Sequence, residues 1–147
     1  GFIDVKCPYG KPGDRLWVRE TWAYGIHAMA SARDEDGPFV YAATDSTQQR
    51  LCEKWTPSIH MPRWASRITL EITAVRVERL QDITETDAIA EGIVNANDGN
   101  GYQLADTTHY AATARDSFFS LWESINGDGA VEKDPWVWVV EFKQVKP

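Results

Sequence analysis

The side chains that could do chemistry in this chain are gathered in residues 55–67, WTPSIHMPRWASR, and in residues 13–22, GDRLWVRETW. The first stretch brings together Trp55, His60, Arg63, Trp64 and Arg67; the second holds Arg15, Arg19 and Trp22. A tryptophan outside a regular element, with an arginine beside it, is what base stacking demands. It offers a flat π-face, and the guanidinium reaches a phosphate or makes a cation–π contact. Pro57 and Pro62 deny the first stretch a helix and stiffen it. The competing expectation is structural, with Trp55 and Trp64 plugging one end of a core. Both hold if one indole is buried and the other lines a pocket.

A second candidate is Glu91, in the last turn of a short predicted helix, where the helix dipole disfavours a carboxylate. Such a group has a cationic partner, a chemical role, or simply a place on the surface. His27, His60 and His109 are scattered through the sequence and form no paired-histidine helix. Cys7, Cys52, His60 and His109 lack the close spacings of a zinc site, so no metal is expected. No phosphate-binding glycine loop and no nucleophile elbow occurs, and no cofactor is expected.

The elements that must position these groups are legible in part. The turn-rich CPYGKPGD (7–14) feeds a half-buried strand, RLWVRE (15–20). HAMASARDEDGP (27–38) reads as a surface excursion and FVYAA (39–43) as a short strand. RITLEITAVRVERL (67–80) is the strongest strand, with Ile68, Leu70 and Ile72 on one face; its alternation slips at Thr73-Ala74, which predicts a bulge. DITETDAIAEGI (82–93) is a short helix capped by Thr84 and closed by Gly92. VNANDGNGYQ (94–103) reads as a loop and TTHYAATARDSFFSLWESING (107–127) as an amphipathic helix. In that helix Ala111, Ala114, Phe118, Leu121, Trp122 and Ile125 fall at helical spacing. WVWVVEFK (136–143), apolar on both faces, reads as a central strand. Trp17, Trp122, Trp136 and Trp138 are expected in the core. The class is α+β, and the bulge favours a small barrel.

The 147 residues are expected to fold as one domain, and 43% hydrophobic against 25% charged residues is ordinary for a globular protein. Fifteen Lys and Arg against 22 Asp and Glu give a net charge of −7. The balance is uneven: eleven basic against ten acidic residues over 1–80, and four against twelve over 81–147. A local basic surface is therefore compatible with the first half, beside an acidic second half. With two cysteines and no apolar run of membrane length, the expected home is a reducing cytoplasm, with no membrane partner.

Three strings, GDRLWVRETW (13–22), residues 55–93, and SFFSLWESINGDGAVEKDPWVWVVEFK (117–143), resemble phage and prophage proteins of the ASCH domain family, within the PUA-like superfamily. The resemblance implies a small, mostly antiparallel PUA-like β-barrel with flanking helices. It implies a module that binds RNA or a modified nucleoside in a pocket at the barrel mouth. It also carries an alternative, hydrolysis of 4-acetylcytidine or of RNA, and a third expectation is a phage protein–protein interaction module. The family's G-x-K-x-x-[ET]-x-R signature, a GRKT-like string in these relatives, is not in this sequence. In the relatives it lies upstream of the GDRLWVRE region, so the domain is expected to be incomplete at its N-terminus. Of the residues implied for hydrolysis only the later glutamate carries over, onto Glu91. With the signature present, its threonine hydroxyl would attack the amide while its lysine and Glu91 managed protons.

Overall fold

A computed structural model describes residues 5–25, 38–45, 54–96, 99–105 and 108–146. The excursion expected at 27–38 lies outside the described residues except for Pro38, and Cys52 lies outside them too. The architecture is α+β. Strands β1 (Arg15–Trp17), β4 (Thr69–Arg79) and β7 (Trp136–Val145) form one sheet in the order β1-β4-β7. Strands β2 (Trp22–Tyr24) and β3 (Phe39–Tyr41) form a second sheet, and β5 (Ile93–Asn95) and β6 (Tyr102–Leu104) a third. The pairings β1/β4, β2/β3 and β5/β6 are antiparallel. Among the described residues these strands close into no barrel. Three α-helices accompany them: α1 (Ala42–Asp45), α2 (Glu85–Ala90) and α3 (Ala114–Asn126). No helix among the described residues is long and apolar enough to cross a membrane.

The chain divides into two compact units, residues 1–75 with 140–147, and residues 76–139. In the first unit the buried core is Trp22, Tyr41, Met61 and Ala65, with Tyr24 and Phe39 packed against it. In the second it is Leu80, Ala88, Ile93, Ala114 and Phe118, extended by Ile83, Leu104, Trp122 and Val137.

Several elements differ from expectation, each for a physical reason. The strand expected over 15–20 ends at Trp17. Val18 N–H still donates to the Ile68 carbonyl at 3.0 Å. Beyond it the chain turns to residues 58–67, with Glu20 N–H directed at the Met61 sulfur at 3.2 Å. FVYAA splits because Ala42 and Ala43, good helix formers, start α1 after Tyr41.

Thr84 caps α2 as expected, its hydroxyl accepting from Asp87 N–H at 3.0 Å, and Gly92 adopts φ +101°. Helix α2 stops at Ala90, because Ile93–Asn95 are drawn into a strand. The supposed loop 94–103 thus holds most of β5 and the start of β6. Gly101 makes that hairpin fit, since a Cβ there would lie 2.6 Å from the Ala111 carbonyl oxygen. Helix α3 begins at Ala114, capped by Thr113, and not near 107. Ala111 is instead held in a β-bridge to Tyr102, and His109 takes a left-handed φ of 56°. Ile125, at the end of α3, is exposed.

The expected central strand β7 lies at one end of its sheet, and β4 is the central strand. Trp136 is correspondingly not a core residue: it is 63% exposed, with the Arg79 guanidinium 4.2 Å from its ring centroid. A cation over the π-face stabilises an indole that burial does not.

Candidate functional site

The segment 55–67 forms two single 3₁₀ turns, Ser58–His60 and Arg63–Ala65. Each is entered from a proline, Pro57 at φ −57° and Pro62 at φ −77°, values the pyrrolidine ring itself imposes. One turn is too short to show any periodicity in sequence, which is why the stretch reads as irregular.

The second turn sets Trp64 on an aromatic shelf. Alternation in Trp22-Ala23-Tyr24 and Phe39-Val40-Tyr41 puts the rings of each strand on one face. The antiparallel register pairs Trp22 with Tyr41 and Tyr24 with Phe39. Trp64 lies across this face, with ring centroids 5.5 Å from Phe39, 5.7 Å from Trp22 and 6.5 Å from Tyr24. Trp22 meets it edge-on at 87° and Phe39 at a tilt of 40°. These separations lie in the favourable range for aromatic pairs, worth about 0.5–1.5 kcal/mol each beyond simple burial. Trp22 is 5% exposed, so it is the floor of the shelf, whereas Trp64 keeps 42% of its surface in solvent. The Trp22 indole N–H finds no acceptor among the described residues.

Two arginines gather at Trp17, one of them Arg63, the residue before Trp64 in the chain. Arg19 lies 4.9 Å and Arg63 5.8 Å from the centroid of half-buried Trp17. Arg19 also donates a long bond, 3.4 Å, to the Ile59 carbonyl, tying it to the first 3₁₀ turn. Among the described residues neither arginine has a carboxylate within ion-pair distance. Both therefore keep N–H donors for an anion.

Arg67 is different. Its guanidinium grips Glu20 through Nε at 2.9 Å and Nη2 at 2.8 Å, donates to Thr44 at 3.3 Å, and lies 4.0 Å from the Tyr41 centroid. Glu20 is sunk to 9% side-chain exposure, so this forked pair anchors the segment to the preceding strand region. Tyr41 hydroxyl donates to the Ala65 carbonyl at 2.8 Å. Burial pushes that hydroxyl above its ordinary pKa of 10.0, the Arg67 guanidinium opposing and the Glu20 carboxylate reinforcing the shift. Ser66 hydroxyl, donating to the Val18 carbonyl at 2.8 Å, adds another tie.

Trp55 is half-buried and His60 is exposed on the first 3₁₀ turn. Arg15 is exposed on β1 and faces Glu71 across the strand pair, with Nε 3.9 Å from the carboxylate. In the first unit Trp64 rests on Trp22, Arg67 lies over the Tyr41 that pairs with Trp22, and Arg19 and Arg63 meet at Trp17. Glu91 belongs to the second unit, exposed at the C-terminal cap of α2. Sequence reasoning missed Tyr24, Phe39 and Glu20. The signal for the first two was available, because WAY and FVY share an aromatic–small–aromatic alternation. Among the described residues no three His, Cys, Asp or Glu side chains are grouped to hold a metal ion.

No family model matches this chain, and neither does any curated protein or solved structure.

Proposed function

We propose that the aromatic shelf of the first unit binds an unpaired base of single-stranded RNA, or a modified nucleoside presenting the same π-face. Trp64 is the stacking surface, and Arg19 and Arg63 supply positive charge beside it for a phosphate. The observation that carries this reading is Trp64 itself. An indole packed on three other rings is held rigid, yet 42% of it remains in water. A plug would be buried, and an incidental surface tryptophan would not be built into a shelf. A rigid ring also loses little conformational freedom on binding, which favours its use as a platform.

This reading agrees with an ASCH-type, PUA-like module of phage or prophage origin, in which Trp55, His60, Arg15 and Arg67 would line or support the rim. Glu91 belongs to the hydrolase alternative, and its exposed position on a helix cap gives that alternative no particular support.

The test is equilibrium binding of single-stranded RNA and of nucleosides by wild type, Trp64→Ala and Arg63→Ala, with circular dichroism to follow folding. Loss of one stacked base costs about 1–3 kcal/mol. Trp64→Ala should therefore bind at least about fivefold more weakly while remaining folded. If Trp64→Ala unfolds the protein, the indole is a structural plug and the proposal fails.

A further inference from the structure

Among the described residues of the first unit, Arg15 faces Glu71 and Arg67 grips Glu20, but Arg19 and Arg63 have no carboxylate. These two come from separate segments and still converge on one ring, their guanidinium carbons 4.9 Å and 5.8 Å from the Trp17 centroid. Like charges gathered at one ring repel each other, and the indole face offsets that repulsion only in part. The carboxylates that could have neutralised them are engaged elsewhere: Asp14 with Lys11, Glu20 with Arg67, and Glu71 with Arg15 and Lys143.

The convergence is fixed by the backbone. Val18 N–H donates to the Ile68 carbonyl at 3.0 Å, and the Ser66 hydroxyl donates to the Val18 carbonyl at 2.8 Å. With Glu20 N–H directed at the Met61 sulfur, both neighbours of Arg19 are tied to the segment that carries Arg63. Arg19 uses one donor on the Ile59 carbonyl, and a guanidinium has five. Both arginines are exposed, and Arg63 immediately precedes Trp64 on the same 3₁₀ turn.

A phosphodiester within a strand offers one negative charge, which balances one arginine. A phosphate monoester carries about −1.5 to −2 at neutral pH and three acceptor oxygens. We infer that Arg19 and Arg63 form a subsite for a terminal phosphate, so that the ligand is a nucleoside monophosphate or the phosphorylated end of a single strand. This subsite rests on the base-stacking reading of Trp64, whose indole would hold the base of the same nucleotide.

The experiment is calorimetric titration of the whole chain at pH 7.5 and fixed low salt. The probes are adenosine, its 5′- and 3′-monophosphates, the methyl ester of each, and a short oligoadenylate with and without the terminal phosphate. One of the monophosphates should bind about tenfold or more tightly than adenosine, and its methyl ester, with a single charge, should lose most of that gain. A matching gain on phosphorylating the oligoadenylate identifies the strand end as the source, and its absence identifies the free nucleotide. Arg19→Gln and Arg63→Gln should each shrink the ratio of monophosphate to adenosine affinity. Lys11→Gln, which removes a positive charge already paired with Asp14, should leave that ratio unchanged; circular dichroism checks that each variant is folded. If adenosine binds and neither monophosphate binds more tightly, the phosphate subsite is overturned while the shelf stands. A methyl ester as tight as its monophosphate, or a ratio indifferent to both arginines, overturns it too. If no probe binds, the stacking reading fails and the subsite with it.

Discussion

At the scale of single residues, two arginines four positions apart have separate duties. Arg63 stands over Trp17 with no carboxylate partner among the described residues, whereas the fork of Arg67 is committed to Glu20. Removing Arg67 strands a carboxylate that is nine-tenths buried. Arg67→Ala should therefore destabilise the protein by about 3 kcal/mol, the low end for a broken buried pair because the guanidinium is itself a third exposed. Adding Glu20→Gln should recover much of that loss, as denaturant unfolding of the single and double variants will read. Nothing in the sequence distinguished Arg63 from Arg67, since both flank Trp64; only the fold brings Glu20 to one of them.

Tyr41 gives a pH signature at the same scale. Its folded pKa lies above the unfolded value of 10.0, so the folded state holds the proton longer. The corresponding stability is fully present below pH 10.0 and is lost as pH rises through the higher folded value. Unfolding followed across that range should show wild type weakening with pH. Tyr41→Phe should be less stable at neutral pH, by roughly 1 kcal/mol for its lost hydrogen bond, but should lack that part of the alkaline decline.

At the scale of elements, legibility follows length and punctuation. Strand β4 and helix α3 declare themselves through long periodic patterns, and α2 through the Thr84 cap and Gly92. The three-residue strands β5 and β6 do not. Asn, Asp and Gly dominate between them, and their pairing depends on Gly101 meeting the Ala111 carbonyl far along the chain. That close approach can be tested directly. Gly101→Ala should cost about 1–3 kcal/mol, the usual penalty of overpacking, in thermal or denaturant unfolding. An unchanged stability would mean that the hairpin tolerates a side chain there. The 3₁₀ turns were hidden for a related reason: their signal is one proline each, and it becomes meaningful only once Trp64 is seen resting on β2 and β3.

At the scale of the whole molecule, a net charge of −7 governs how any polyanion approaches. Binding of single-stranded RNA at the shelf should weaken as salt rises, because Arg19 and Arg63 displace condensed counterions. Binding of an uncharged nucleoside should be nearly indifferent to salt. Equal salt response for both ligands would place the contact somewhere other than beside the arginines. The sequence made the charge asymmetry plain, but that neither arginine has a carboxylate partner among the described residues emerges only from the folded arrangement.

The most direct measurement is the affinity of wild type and Trp64→Ala for one single-stranded RNA at fixed, low salt, with the fold of each verified by circular dichroism. Wild type should bind measurably, and Trp64→Ala, while staying folded, should lose about fivefold or more in affinity. Equal affinity in the two proteins, or no binding by wild type, would contradict the stacking role of Trp64.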